Sequence, residues 1–211
     1  MYVEILVEDI SGNKAMEILI PKMNINAIPV RIHSYKGIGR IPKGLKPRTD
    51  AVKRQLLDQL PRLLQGFGKI SECKAVVVIF DLDEMDKHQL MEKLCNIREL
   101  CNPKPNTIFC LAIEEFEAWY LGDLNAVRKA YPRAKSNLSK YVNDSICGTW
   151  EFLADAILSG GSKELIKKGW QAVGEQKSIW AETICPHMDV ENNVSPSFIE
   201  MREQIRRVTT K

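Results

Sequence analysis

Apolar and polar positions follow two rhythms along the first half of the chain. "YVEILV" (2–7) and "KAVVVIF" (74–80) are apolar runs of strand length, rich in β-branched residues. "AIPVRIHSY" (27–35) reads as extended, and "NTIFCLAI" (106–113) as a further strand. Between them, "GNKAMEILIPKM" (12–23), "TDAVKRQLLDQLPRLLQGF" (49–67) and "KHQLMEKLCNIREL" (87–100) carry apolar residues at helical spacing. Thr49 or Asp50 suits the N-cap of the second helix, and Asp86 that of the third. The order is βαβαβαβ. It predicts an α/β fold: a Rossmann-like parallel sheet of about four strands, helices on both faces, and right-handed crossovers. "AVVVIF" lacks alternation, as a central strand covered on both faces should.

Beyond Gly122 the pattern changes to helical or irregular, with helical stretches around 124–131, 149–158, 162–170, 175–184 and 197–207. Ser195 is placed to cap the last of these, with Pro196 at its first position. The expected organisation is an α/β core over 1–122 and a helical C-terminal extension over 123–211 packed on it. Trp119, Trp150, Trp170 and Trp180 bring large apolar areas and support a packed tail. No internal repeat is visible.

Composition narrows the classes. A chain of 211 residues buries a real core, and 45% hydrophobic with 27% charged residues is ordinary for a soluble protein. The net charge of +3 is too small for a global argument, so any basic surface must be local. No targeting segment is visible, and the apolar runs fall short of the roughly 20 residues of a membrane span, so a cytoplasmic protein with no membrane partner is expected. The six cysteines form no CxxC pair and the three histidines are scattered, which argues against zinc or histidine chemistry.

Acids remain. In an open parallel sheet, ligands bind at the edge where the strands end. The first strand runs into Glu8 and Asp9, the third into Asp81, Asp83, Glu84 and Asp86, the fourth into Glu114, Glu115 and Glu117. Like charges about 4 Å apart repel by several kcal/mol at an effective dielectric near 20. Either some of them are protonated or a cation resides there, and oxygen-only ligands select Mg²⁺ or Mn²⁺. Asp81 and Asp83 are spaced i, i+2, so an extended backbone would point both to one side. Glu8, Asp81 and Asp83 are the expected metal ligands. Asp86 reads as a helix cap and Glu84 as solvated.

"HSYKGIGRIPKGLKPR" (33–48) follows the second strand on the same edge. It holds Lys36, Arg40, Lys43, Lys46 and Arg48 and no acid. A basic loop with glycines beside an acidic metal site suits a polyanion, and these five residues are the expected nucleic-acid contacts. No Walker P-loop is present.

Three families share fragments of this pattern. "ILVEDISG" resembles the start of a receiver domain, but the third strand here ends at Asp81 and the fourth in acids. "VIFDLDEMD" resembles the opening motif of haloacid-dehalogenase-type phosphatases, with Glu84 and Met85 where that family has Gly-Thr. A Glu after strand one and a DxD after strand three resemble the TOPRIM catalytic domain of topoisomerases, primases and nucleases of overcoming-lysogenization-defect type. The stretches "VEDISG", "RIHSYKGIGRIPKGL", "DLD", "IEEFEAWYLGD", "YVNDSICGTWE" and "KGWQAVGEQKSIWAETICPHMDVENNVSPSF" together resemble a bacterial TOPRIM-like family of unknown function. That resemblance covers nearly the whole chain, and the family's members are often encoded beside AAA- or ABC-type ATPases.

The resemblance implies roles. Glu8 would be the general acid/base, Asp81 and Asp83 the Mg²⁺ ligands, and Glu117, in "EAW", a further acid of the site. A topoisomerase or primase needs more chain, whereas a nuclease needs only this core. The expected function is a Mg²⁺-dependent nuclease acting on DNA or RNA, the effector partner of an ATPase in phage defence. The alternatives are a non-catalytic module that binds an ATPase, and a haloacid-dehalogenase-like phosphohydrolase.

Overall fold

The computed structural model describes residues 1–25, 28–42, 54–145 and 147–210. Strands β1 (Tyr2–Val7), β2 (Val30–Ser34), β3 (Cys73–Asp81) and β4 (Thr107–Ala112) form one parallel sheet in the order β2-β1-β3-β4. In register, Val7 lies between Ser34 and Ile79, and Asp81 lies opposite Ala112. The chain steps outward from β1 to β2, then crosses back to β3 on the other side of β1.

Side chains alternate across the sheet, so odd and even positions of a strand join different cores. Val3, Ile5, Val7, Val77 and Ile79 join one cluster with Ala15, Met16 and Leu19 of α1 (Ile10–Lys22). Leu6, Val76, Val78 and Phe80 join the other. There they meet Leu56, Leu60 and Leu64 of α2 (Leu56–Phe67) and Leu90 and Leu94 of α3 (Lys87–Glu99). Helices therefore cover both faces, and the α/β expectation holds. β3 is wholly buried from Ala75 to Phe80, which accounts for its unbroken apolar run.

The helical half continues with α4 (Glu117–Leu121), α5 (Leu124–Ala130), α6 (Thr149–Ile157), α7 (Gly161–Lys167), α8 (Trp170–Ile184) and α9 (Pro196–Thr209). α9 packs on β4 and β3, and α8 packs along α1. Leu153, Trp180, Ile184, Phe198 and Ile205 belong to the same core cluster as β1 and β3. Lys22, at the end of α1, donates to the carbonyls of Cys185, Pro186 and Met188 at 2.7–3.0 Å, tying α1 to the end of α8. Ser195 caps α9 by accepting from Phe198 N at 3.3 Å, as the sequence suggests. Among the described residues no helix is long and apolar enough to cross a membrane.

Two helix boundaries differ from expectation. α2 begins at Leu56 after Gln55, and Thr49 and Asp50, the expected caps, lie outside the described residues. The amides of Leu56 and Leu57 donate instead to the carbonyls of Gly37 and Ile38, and Arg54 stands at φ +47. The backbone of the loop after β2 thus takes the donors a cap would have satisfied. α7 ends before Gly169, whose φ of +94 breaks the helix, so Trp170 opens α8 and does not close α7.

Gly122 is the tightest joint between the two halves. A Cβ there would overlap Asn193 Oδ1 and stand 2.9 Å from Ser195 N, while Val194 N donates to Gly122 O at 3.0 Å. Asn193 Nδ2 donates to Trp119 O at 2.8 Å, so the crowding atom is itself held in place. Gly122→Ala is expected to cost about 1–3 kcal/mol as an overpacking change. The measurement is a fall in the urea midpoint with an unchanged slope.

Candidate active site at the carboxyl edge of the sheet

β1 and β3 are neighbours whose outgoing connections run to opposite sides, so the crevice beyond their ends is the topological switch point of the sheet. Glu8 follows β1 and Asp81 ends β3, and Asp81 N donates to Glu8 Oε2 at 3.2 Å. Asp81 Oδ1 accepts from Phe116 N at 3.0 Å, at the start of α4. Both side chains are half-buried. Burial, helped by Asp9 and Asp83 and opposed by the Asp81 amide and Lys177, pushes the Glu8 carboxyl up to about 7. Burial and the neighbouring Glu8 carry Asp81 above the usual carboxylate range.

The cation that sequence reasoning missed is Lys177, from the middle of α8. Its ammonium donates to Glu115 at 2.8 Å and stands 3.4 Å from Glu117 Oε2. Burial works against its charge, but Glu117, Asp81 and Glu115 outweigh it and hold Lys177 well above the usual lysine range. One ammonium is shared by several acids, so none is fully compensated. Burial therefore still raises Glu117 to about 7, against the pull of Lys177. A signal for Lys177 existed. Val173, Trp180, Ala181 and Ile184 form the buried stripe of α8, and Lys177 falls in that stripe at helical spacing.

The other acids divide by role. Asp9 caps α1, accepting from Gly12 N at 2.8 Å, and Asp86 caps α3, accepting from Gln89 N at 2.7 Å. Glu84 is exposed, in line with a solvated residue. Glu114 accepts from Gly148 N at 2.6 Å and Thr149 N at 3.1 Å, while Glu115 accepts from Trp150 N at 3.3 Å. These two carboxylates satisfy the free amides of α6 from another part of the chain, where the helix dipole favours negative charge.

Asp83 and Glu117 stand differently from expectation. β3 ends at Asp81, and Asp83 sits at φ +48, exposed, with its amide on Glu114 O at 3.0 Å. Strand alternation therefore does not align Asp83 with Asp81. Burial and the nearby Glu114 and Glu84 still raise its carboxyl, with Lys177 opposing. Glu117 is 1% exposed, so it positions Lys177 and has no surface for a substrate.

Among the described residues, no three acidic, histidine or cysteine side chains stand close enough to hold one metal ion. The expected set of Glu8, Asp81 and Asp83 is not assembled, because the chain turns at Asp83. Glu8 and Asp81 remain as two adjacent carboxylates. That donor set fits Mg²⁺, which is commonly held by one or two carboxylates with waters and substrate phosphates completing the shell.

The loop after β2 lies on the same edge. Tyr35 N donates to Val7 O and Gly37 N to Glu8 O, at 3.1 and 3.0 Å. Lys36 and Arg40 are exposed on it, while Lys43, Lys46 and Arg48 lie outside the described residues.

Lys177→Met leaves Glu115 and Glu117 buried without their partner. It is expected to cost about 3–5 kcal/mol at pH 8, as breaking a buried ion pair does, and less at pH 5, where the acids take up protons. Glu117 is raised from 4.5 to about 7, so the folded chain binds the extra proton in that window. Its contribution to stability is greatest below pH 4.5 and falls as pH rises to about 7. Urea unfolding from pH 4.5 to 8 is expected to show that decline, and Glu117→Gln to lessen it, with the part due to Glu8 remaining.

No curated protein and no solved structure matches the chain significantly. A family model, the domain of unknown function DUF4276, matches residues 7–206. That span takes in Glu8, Asp81, Lys177 and most of the C-terminal half, so the chain belongs to the DUF4276 family.

Proposed function

We propose that the chain is a nuclease dependent on Mg²⁺ or Mn²⁺, cleaving phosphodiesters of DNA or RNA at the Glu8–Asp81 pair. The observation that carries this reading is the meeting of Glu8 and Asp81 at the switch point of the sheet, with the Lys177 ammonium behind them. A bound Mg²⁺ would supply a Lewis acid for a phosphoryl oxygen and lower the pKa of a water. The chain's own groups supply the rest. Burial raises Glu8 to about 7 before any metal binds, so with Asp81 as the main ligand Glu8 would move a proton near neutral pH. Lys177 offers a fixed positive charge toward the negative charge that grows on the phosphate, in a partly water-excluded place. Lys36 and Arg40, exposed on the loop tied to Glu8 by Gly37, would hold the backbone without reading sequence.

A second reading is supported by one observation. Lys177 already gives the acids an internal counter-charge, so the cluster also suits a non-catalytic module that binds an ATPase partner. No cleavage with either metal, together with stable co-purification with an ATPase, would favour it.

Purified protein with Mg²⁺ or Mn²⁺ is expected to cut plasmid, single-stranded DNA or RNA. Asp81→Asn and Glu8→Gln are each expected to lower the rate by about 10²- to 10⁴-fold. Either metal should raise the melting temperature of the wild type at pH 8 by mass action, and not that of Asp81→Asn. Cleavage that survives in the Asp81→Ala/Asp83→Ala double variant would sink this assignment of the site.

A further inference from the structure

Three of the four tryptophans are buried, as packing residues should be, but Trp170 is 74% exposed. It opens α8 straight after the turn at Gly169. An indole is a large apolar surface to leave in water. The ring is nonetheless placed: it stands edge-on to Trp150, with centroids 6.4 Å apart and planes at 70°. That contact and its exposure leave a broad ring face open to solvent.

The local sequence is mildly basic. Between Lys163 and Lys177 the chain has four lysines and two glutamates. Lys163, Lys167 and Lys168 are exposed. Glu164 pairs with Lys167 at 2.5 Å and Glu175 accepts from Gln171 at 2.9 Å, while Lys168 has no ion pair among the described residues. The apolar exposure here amounts to this ring and Ile166. That is far below the roughly 800 Å² per partner of a stable protein interface.

Trp170 is also joined to the acidic edge. Trp150 N donates to Glu115 at 3.3 Å, and Lys177 donates to the same carboxylate at 2.8 Å. Trp170 and Lys177 lie seven residues apart on α8, about 10 Å along its axis, with the buried Val173 between them.

We propose that Trp170 is a stacking platform for a base of single-stranded nucleic acid, with the exposed Lys168 beside it for a phosphate and the strand continuing to the Glu8–Asp81–Lys177 centre. The proposal rests on the nuclease reading for its destination, and it narrows the substrate class to unpaired strands. A flat, exposed ring accepts any base, because every base has a π-face. A duplex keeps its bases stacked inside and offers the ring nothing. The lysines neutralise phosphates and add the salt-dependent part of the affinity.

The test is fluorescence anisotropy of a labelled single-stranded oligonucleotide with the full chain, in EDTA so that nothing is cut. The wild type is expected to bind. Trp170→Ala should weaken binding by about 5- to 150-fold, and Trp170→Phe should restore most of it. The salt dependence should stay the same in both, since the phosphate contacts remain. An abasic oligonucleotide of equal length should bind the wild type as weakly as the normal one binds Trp170→Ala. Unchanged unfolding midpoints in both variants are expected, because the ring is exposed. Equal affinity of Trp170→Ala and wild type, equal affinity for the abasic strand, or no binding by the wild type would each overturn the platform. Wild-type cleavage with unchanged binding in Trp170→Ala removes the platform and leaves the nuclease. Trp170-dependent binding with no cleavage under Mg²⁺ or Mn²⁺ supports the platform and removes the nuclease.

Discussion

The Lys177 ammonium is the charge on which this structure turns. It comes from a helix late in the chain and lies against Glu115 and Glu117, which follow β4. Taking an ammonium and several carboxylates out of water costs heavily unless they meet, and removal of one leaves the rest uncompensated. The meeting therefore fixes α8 relative to the carboxyl edge of the sheet. Lys22 reinforces it at the other end of α8 with three hydrogen bonds to carbonyls. The helical half is thereby a wall of the crevice as well as a cover for the core.

A row of acids that looks uniform in sequence is sorted by this packing. Asp9, Asp86 and Glu114 are consumed as helix caps. Glu115 and Glu117 serve Lys177. Glu8 and Asp81 remain half-buried at the switch point, where burial raises both and Glu8 raises Asp81 further. Buried carboxyls with raised pKa beside one cation, in a crevice between strand ends, form a constellation typical of functional sites.

Much of this was legible in the residues. The unbroken "AVVVIF" announced a central strand, the βαβαβαβ order announced a parallel sheet, and together they brought Glu8 and Asp81 to one edge. Asp86 and Ser195 carried their capping roles in their position before a helix. Asp83 did not, because strand alternation says nothing once the backbone leaves the strand, and here it turns to φ +48 two residues later. Lys177 sat in view within an apolar stripe, but only the folded chain shows which acids it meets. Trp170 carried no sign that it differs from the three buried tryptophans.

The division has a physical cause. Period, propensity and capping are local, so the sequence by itself determined the strands, most helices, the α/β class and the edge at which acids gather. Which carboxylate is capped, paired or left open depends on partners distant in sequence: Gly148 for Glu114, Lys177 for Glu115, Asp81 for Glu8. Those pairings arise from burial and from electrostatics in a low dielectric, and only the tertiary structure decided them.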